Sequence, residues 1–476
     1  MKPTSRLLLV SLSLLAAGCF PEEKLVWSPD GKQLAVIDNG LRLSTPDGLL
    51  SPATLEGVQA AAWLPDSSGL VVLRDLEFSK WEEAKAVLPP EEAKRIEQIA
   101  SGVPDLAKAL LAATRGEDDE MKSLFESLDL RRPEILAYAF ECAKQTHRAE
   151  LAAALAAQHA PADMVKSLDE DSKIKVNQIA VVLREGTQSL TAPKPLFGSL
   201  FALGTPVLSP QNGLLAFDTE AGLRVMDLEG VSSLEIAPTG ALAYAWTPDG
   251  TAVVRLEAAT ATARHSFLDP ASNSSDAPQL AQLVLRTVVD ASGKLLPKAT
   301  DQSSGPSDQS LAVAMVSGPQ RLAVLPDGRI LFASLPAQFP ATEQTMPAAA
   351  KLFLLDPAQG KEAKITPVPV APEALPSTPQ FFALSPDGRK VAVVEPSSDA
   401  VAVLDLATGK VEIVSPDHGK KCRTLPAWRS TTELTFATWS EETNRPEVMT
   451  QTLGEAARKI SGTWEDEVVS GLLEKQ

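Results

Sequence analysis

The feature that most constrains the fold is a short phrase that recurs along the chain. Its full form is Trp-Ser-Pro-Asp-Gly at Trp27–Gly31 and Trp-Thr-Pro-Asp-Gly at Trp246–Gly250. Altered copies begin at Trp63, Leu208, Leu325, Leu384 and Trp428. Proline fixes φ, aspartate bonds back to the backbone and glycine accepts a positive φ, so the phrase predicts a tight turn. A turn repeated this often indicates a fold built from similar units.

Each predicted turn is followed by an apolar run rich in β-branched residues. The resulting predicted strands include Leu34–Ile37, Leu70–Leu73, Ala252–Leu256 and Val391–Val394. A second turn, Asp405–Lys410, joins the predicted strands Val401–Leu404 and Val411–Val414. One unit therefore has four strands, with a Pro-Asp-Gly turn after the first strand and an Asp-x-x-Gly turn after the third.

Seven units with a period of about 40 residues are typical of a β-propeller, in which four-stranded sheets surround a central axis. The predicted fold class is all-β, a seven-bladed β-propeller. Six or eight blades stay open, because the copy at Trp428 is degraded and the tail Thr463–Gln476 could add a closing strand. The Trp-Ser-Pro-Asp-Gly phrase resembles the WD40-like (PD40) repeats of TolB-type propellers. That resemblance implies partners among proteins of the bacterial cell envelope.

The spacing of the phrase breaks once by a large amount. Successive copies at Leu208 and Trp246 are 38 residues apart, whereas those at Trp63 and Leu208 are 145 apart. The excess falls at 77–173, where prolines and glycines punctuate a helical spacing of apolar residues. We predict an α-helical insertion of five to seven helices in the second blade. The predicted domains are 19–76 (the first part of the propeller), 77–173 (the insertion) and 174–476 (the remainder).

The long connections are distributed unevenly. The insertion and the stretches 258–279 and 335–350 all follow a second strand, and 366–378 and 415–423 follow a fourth. Strands alternate in direction within an antiparallel sheet, so these two kinds of connection emerge on one face. Loops on a rigid scaffold carry function more often than the scaffold does, so this face is the predicted binding face.

The N-terminus indicates where the protein resides. Residues 1–18 have a basic start, an apolar run from Leu7 to Leu15 and small residues before Cys19, as a secretory signal peptide does. The sequence Ala16-Ala17-Gly18-Cys19 resembles a bacterial lipobox. The resemblance implies cleavage before Cys19, lipidation of its sulfur (diacylglycerol, with palmitate as a typical acyl chain) and membrane anchoring. Phe20 follows in place of an inner-membrane retention Asp, which favours the outer membrane, on its periplasmic side or at the cell surface.

Composition and the lack of catalytic motifs exclude several classes of function. The net charge of −17 would repel phosphate, which argues against a nucleic-acid partner. The sequence contains no Gly-x-Ser-x-Gly elbow, phosphate loop or His-Glu-x-x-His. We therefore expect no enzymatic activity, no metal site and no cofactor.

Two groups of residues are candidates for further roles. Cys142 and Cys422 would share an oxidising compartment, either as a disulfide or as two unpaired thiols. The basic cluster His418, Lys420, Lys421 and Arg423 is either solvated or a contact for an acidic partner or a lipid head group.

The function predicted from these patterns is that of a membrane-anchored, non-enzymatic interaction scaffold. It would be monomeric, and would bind unidentified envelope proteins through the face that carries the insertion and the long loops. Two alternatives stay open: a propeller hydrolase or lyase with acidic residues around the central channel, and a small-ligand sensor that uses that channel.

Overall fold

The computed structural model describes most of the chain after the first 22 residues. The described residues are 23–38, 40–52, 55–128, 130, 133–169, 173–186, 189–211, 213–219, 221–237, 241–258, 279–290, 292–296, 308–316, 318, 320–335, 350–358, 365–370, 381–394, 400–415, 424–440 and 442–473.

The chain divides into two compact units. The helical unit contains Leu73–Ala180 and Lys194–Leu203. The sheet unit contains Ala16–Val72, Val181–Pro193 and Gly204–Gln476.

Within the described residues the strands form seven antiparallel sheets, numbered here in chain order. Sheet 1 contains β1 (Leu25–Trp27), β2 (Leu34–Ile37), β3 (Gly40–Ser44) and β4 (Leu55–Glu56). Sheet 2 contains β5 (Val58–Trp63), β6 (Gly69–Phe78), β7 (Ile174–Glu185), β8 (Ser189–Leu190) and β9 (Lys194–Ser199), which pairs with β7. Sheet 3 contains β10 (Val207–Leu208), β11 (Leu214–Thr219), β12 (Gly222–Asp227) and β13 (Ser233–Ala237).

The remaining four sheets follow the same order of strands. Sheet 4 contains β14 (Ala243–Trp246), β15 (Ala252–Ala258), β16 (Gln279–Thr287) and β17 (Gln309–Val316). Sheet 5 contains β18 (Leu322–Val324), β19 (Ile330–Ser334), β20 (Lys351–Leu355) and β21 (Ile365–Pro367). Sheet 6 contains β22 (Phe382–Leu384), β23 (Lys390–Val394), β24 (Val401–Asp405) and β25 (Val411–Ser415). Sheet 7 contains β26 (Ala427–Trp428), β27 (Glu433–Ser440), β28 (Arg445–Thr452) and β29 (Arg458–Lys459).

The first strands of the sheets surround a common axis in the sheet unit. Strand β1 contacts β5, β5 contacts β10, β10 contacts β14, and β14 contacts β18. Sheets 5 and 6 share an apolar cluster that includes Leu331 and Val391. Strand β22 contacts β26, and β26 contacts β1, which closes the ring. The protein is therefore mostly β, with antiparallel four-stranded sheets in the arrangement of a propeller, as the repeated phrase predicts.

Where a copy of the phrase keeps its tryptophan, the indole joins that sheet to the one before it. The buried indole N–H of Trp63 donates a hydrogen bond to the carbonyl of Val26 at 2.9 Å. Trp246 donates to the carbonyl of Val207, and Trp428 donates to that of Ala383, both at 2.9 Å. A buried indole needs an acceptor, and the first strand of the preceding sheet supplies it. The motif therefore encodes the contact between sheets as well as the turn.

The junction between sheets 7 and 1 uses the same tryptophan with a different acceptor. The indole of Trp27 donates to the hydroxyl of Thr435 at 2.9 Å, and the guanidinium of Arg429 lies 5.3 Å from the centre of the Trp27 ring. Arg429 also donates to the carbonyl of Gly31 at 2.9 Å. Farther out, the Trp464 indole donates to the carbonyl of Gly48 at 2.8 Å. A side chain at Gly48 would overlap the Ile460 carbonyl, so this approach requires glycine.

The end of the chain forms a helix, and the closing strand considered for the tail Thr463–Gln476 is wrong. A short 3₁₀ turn at Ser461–Thr463 leads into a helix at Asp466–Leu473, which is α8 in chain order. Acidic residues occupy its first turn, and Val468, Val469 and Leu472 pack against Leu25 and Trp27. These three apolar residues lie on one face of a helix. In a strand the same residues would point to both sides of the sheet.

The helical unit is held by its own apolar core. Its helices are α1 (Trp81–Lys85), α2 (Pro90–Ser101), α3 (Val103–Arg115), α4 (Asp118–Ser127), α5 (Pro133–Thr146), α6 (Arg148–Ala157) and α7 (Ala162–Lys166). The helix boundaries follow the prolines and glycines of the sequence: Pro90 begins α2, and Gly116 ends α3 with φ +70°. Strand β6 continues to Phe78, so helix begins four residues after Glu77, the predicted start of the insertion. The buried core joins Ile96, Leu106 and Leu151 from three helices.

We predict that Trp246→Phe lowers the free energy of unfolding by about 1–2 kcal/mol, because it removes the indole donor and leaves the Val207 carbonyl without that bond. Trp439→Phe is the matched control. Its indole donates to Asn444 at 3.3 Å within a single hairpin, and this bond is open to solvent although the ring is half-buried. We expect less than about 0.5 kcal/mol there. Urea unfolding measures both variants, and equal losses would contradict the role assigned to Trp246.

Candidate functional site

The sheet unit has two faces that differ in chemistry. The connections from first to second strands and from third to fourth strands emerge on one face, here called the turn face. The connections from second to third strands and from each fourth strand to the next sheet emerge on the other, here called the connection face. The helical segment Trp81–Lys166 lies in the chain between β6 and β7, which are the second and third strands of sheet 2.

The aspartates of the turn face are used by the turns themselves. The Asp30 carboxylate accepts from the Ser28 hydroxyl at 2.6 Å and from the Lys32 backbone N–H at 3.1 Å. Asp249 accepts from the Thr247 hydroxyl at 2.6 Å. These hydroxyl bonds hold the pKa of both carboxyl groups below the usual range. The repeated aspartate therefore acts as a turn former with its oxygens already engaged.

The turns between third and fourth strands follow the same principle. The Asp405 carboxylate accepts from the backbone N–H of Thr408 at 2.8 Å and from that of Ala407 at 3.1 Å. The bond from Thr408 lowers the pKa of Asp405. Asp227 accepts from the backbone of Val231 at 2.9 Å and of Ser232 at 2.7 Å. These carboxylates are likewise committed to backbone donors.

The connection face carries a buried ionic network at the end of β15. Arg255 is only 2% exposed and lies in β15 between Val254 and Leu256, which are also buried. Its guanidinium donates to Asp308 at 2.6 and 3.2 Å and to Glu257 at 2.8 Å. Arg286 adds a further bond to Asp308 at 3.2 Å. Two cations and two carboxylates thus neutralise one another in this network.

Burial and pairing oppose each other in this network. Burial alone lowers the pKa of Arg255, but its bonds to Asp308 and Glu257 outweigh that effect, so its pKa is raised. Burial alone raises the pKa of Asp308, but the bond from Arg255 outweighs it, so its pKa is lowered. Arg255 and Asp308 therefore both stay charged near neutral pH. Sequence reasoning missed the network, although an arginine inside the apolar run Ala252–Leu256 was a signal of it.

Two further polar groups lie at the connection-face ends of other strands, Tyr244 in β14 and Asp38 directly after β2. The Tyr244 hydroxyl donates to the carbonyl of Thr205 at 2.7 Å, and burial raises the pKa of Tyr244. At the end of β2, burial raises the pKa of Asp38, and the positive charges of Arg42 and Lys24 partly oppose that rise. Carboxyl, phenol and guanidinium groups therefore lie together at this face.

Among the candidate residues chosen from the sequence, only Cys142 is described. Cys19, Cys422 and the basic cluster His418, Lys420, Lys421 and Arg423 lie outside the described residues. Cys142 lies in the core of the helical unit and is 1% exposed. Burial raises its pKa to about 12, with the nearby charges of Glu141 and Glu97 adding to the effect. Its thiol is therefore protonated and unreactive, and its pairing with Cys422 stays a prediction.

The described residues contain neither a cluster of metal-binding side chains nor a helix that could span a membrane. No group of three or more His, Cys, Asp or Glu side chains in them is arranged to hold a metal ion. No helix in the described part of the chain has the length and apolar composition needed to cross a bilayer.

Comparisons with known proteins found likeness among solved structures. No family model matches the chain, and no curated protein matches it. A puromycin hydrolase is similar over 60% of this chain, with 17% identity and a TM-score of 0.39, and the match spans only 43% of that structure. The hydrazine synthase of Kuenenia stuttgartiensis is similar over 91% of this chain and 96% of its own, with 11% identity and a TM-score of 0.46. A TolB-type protein from Agrobacterium tumefaciens is similar over 56% of this chain and 84% of its own, with 14% identity and a TM-score of 0.33.

These matches contradict the prediction that the chain is not an enzyme. They include puromycin hydrolase, an acylaminoacyl peptidase from Pyrococcus horikoshii and an oligogalacturonate lyase. One fold can host unrelated functions, so the lack of a familiar catalytic motif in the sequence does not exclude catalysis.

We predict that Cys142 resists alkylation in the folded protein at pH 8. A pKa of about 12 leaves on the order of one thiol in ten thousand ionised, and the side chain is buried. Iodoacetamide followed by mass spectrometry tests this with and without urea. Labelling of the native protein would contradict the buried thiol. Labelling in urea without reductant indicates two free thiols, whereas a requirement for reductant indicates the disulfide with Cys422.

Proposed function

We propose that the protein is a seven-bladed propeller lipoprotein of the bacterial cell envelope that binds partner proteins through its connection face. The helical segment Trp81–Lys166 is the main binding element, inserted between the second and third strands of the second blade. The partners are envelope proteins, and the anchor is a lipid on Cys19. This proposal concerns binding, and a catalytic activity at the same face would be compatible with it.

The closed ring supports the proposed count of seven blades. The sheet unit has seven sheets in its described residues, and contacts run from each sheet to the next and from sheet 7 back to sheet 1. An eighth blade would need more strands between β26 and β1, where the side chains of Trp27 and Thr435 already meet.

The observation that carries the proposal is the contrast between the two faces. On the turn face the repeated carboxylates are satisfied by their own turns, and the loops are short. The connections of the other face include a segment with its own apolar core, in which Ile96, Leu106 and Leu151 are fully buried. A packed core forms only when many residues are ordered, which costs conformational entropy. A simple linker would not need that ordering. A segment of this kind presents a rigid surface, as binding elements do.

The predicted anchor supports the same orientation. Five residues from Cys19 to Lys24 span at most about 18 Å when extended. Strand β1 begins at Leu25, and the first strands begin at the connection face. A lipid on Cys19 would therefore hold the connection face near a membrane, where envelope partners are concentrated.

Site-specific photo-crosslinking in cells tests the proposal. A photoreactive residue replaces Ala153 on α6, Glu467 on α8 or Lys32 on the turn face, all of which are exposed. We expect adducts with one recurring envelope protein at Ala153 and Glu467 and none at Lys32. Adducts confined to Lys32, or equal at all three positions, would contradict the proposal.

Two control variants separate anchoring from binding. Cys19→Ala should release the protein from the membrane fraction and lower the adduct yield without changing the positions that react. Replacement of 81–166 by a short glycine-serine linker should abolish adducts with that partner. Unchanged partner adducts at Glu467 in the linker variant would contradict the role given to the helical segment.

A further inference from the structure

An ion pair links two sheets that are not neighbours in the ring. The Arg321 guanidinium donates to the Glu23 carboxylate at 2.9 Å. Glu23 lies two residues before β1 of sheet 1, and Arg321 lies directly before β18 of sheet 5. Between these sheets the ring contains sheets 2, 3 and 4 on one side and sheets 6 and 7 on the other.

The location of this pair follows from the topology. First strands begin at the connection face, so both residues lie where the first strands open towards solvent at that face. The opening between the first strands, where Glu23 and Arg321 lie, is here called the mouth. A contact between sheets 1 and 5 cannot follow the ring and must cross the space that the first strands enclose. Glu23 and Arg321 therefore bridge the mouth.

The bridge is weak enough to open. The Arg321 side chain is 32% exposed and the Glu23 side chain is 48% exposed. Exposed ion pairs contribute roughly 0.2–1 kcal/mol, because water and salt screen them and two long side chains lose freedom. A competing carboxylate would therefore displace Glu23 at little cost.

We propose that Arg321 is a carboxylate-binding residue at the mouth and that Glu23 occupies it in the unliganded protein. A guanidinium forms paired hydrogen bonds with a carboxylate, and the Glu23 side chain stands in for the ligand. The ligand is a carboxylate supplied by a small dicarboxylic acid or by the C-terminus of a peptide. This site goes beyond the proposed binding of partner proteins by the helical segment.

The first test asks whether the two side chains meet in solution. Arg321→Lys keeps the positive charge and supplies an amine that a carbodiimide can couple to Glu23. Mass spectrometry of the digest should detect two peptides joined through positions 23 and 321. That product should be absent when Glu23→Gln is added, and its absence with Glu23 intact would overturn the proposal.

The second test measures ligand binding with glutarate as the probe. Titration of the Arg321 Nε–H signal by NMR should give a dissociation constant that falls about two- to fivefold in Glu23→Gln, the factor that corresponds to about 0.4–1 kcal/mol. Arg321→Met should abolish the response at neighbouring amides. The matched control is Asp466→Asn, which breaks the exposed pair of Arg445 and Asp466 at 3.0 Å elsewhere on the sheet unit. That variant should leave glutarate binding unchanged.

A third arm separates the two sources of the carboxylate. A trialanine peptide with a free C-terminus is compared with its C-terminal amide. Binding of the free acid but not of the amide supports a peptide terminus, and binding of glutarate alone supports a small acid. Equal responses of the wild type, Glu23→Gln and Arg321→Met to every probe would overturn the proposal while leaving the photo-crosslinking result unaffected.

Discussion

Closure of the ring between the last and first sheets is the constraint on which the rest of the structure depends. Trp27 and Thr435 are separated by 408 positions, yet the indole and the hydroxyl meet at 2.9 Å. In the described residues each sheet is built from strands that are consecutive in the chain. No strand is therefore shared between sheets 7 and 1. The junction relies on Trp27, on Arg429 and on the apolar face of α8. Each hydrogen bond contributes about 0.5–1.5 kcal/mol, and burial of the apolar side chains adds to it.

The functional argument depends on that closure. When the ring is closed, the first strands are held at fixed positions, and the connections can vary without disturbing the core. The turn face is then occupied by carboxylates that serve their own turns, as Asp30 and Asp405 do. The connection face carries charged groups that do not belong to turns, among them Arg255, Asp38 and the pair of Glu23 and Arg321. Binding chemistry is therefore expected where the connections vary.

Local features of the fold could be predicted from the sequence, and long-range contacts could not. The strands Leu34–Ile37 and Val391–Val394 agree with β2 and β23 to within one residue, because turn residues and apolar runs act over short distances. The partner of Trp63, Trp246 and Trp428 is in each case a backbone carbonyl of the preceding sheet, which leaves no mark in the sequence. The helix α8 was missed because its apolar spacing is short and follows the last repeat.

The candidate site was less predictable than the fold. Arg255 and Asp308 are 53 positions apart, and only the pairing of β15, β16 and β17 brings them together. Glu23 and Arg321 are 298 positions apart and meet across the ring. The sequence suggested cysteines and a basic cluster as candidates, because reactive residue types and runs of like charge can be recognised without knowledge of the fold. Pairs formed by ordinary charged residues become visible only when the topology is known.

The most direct test of ring closure is a double-mutant cycle on Trp27→Phe and Thr435→Val, with free energies of unfolding from urea titrations. Trp27→Phe keeps an aromatic ring without the indole N–H, and Thr435→Val keeps the size of threonine without the hydroxyl. The account predicts a coupling energy of at least about 0.5 kcal/mol, as for residues in direct contact. Additive losses, with a coupling energy near zero, would mean that the indole and the hydroxyl do not hold sheets 7 and 1 together.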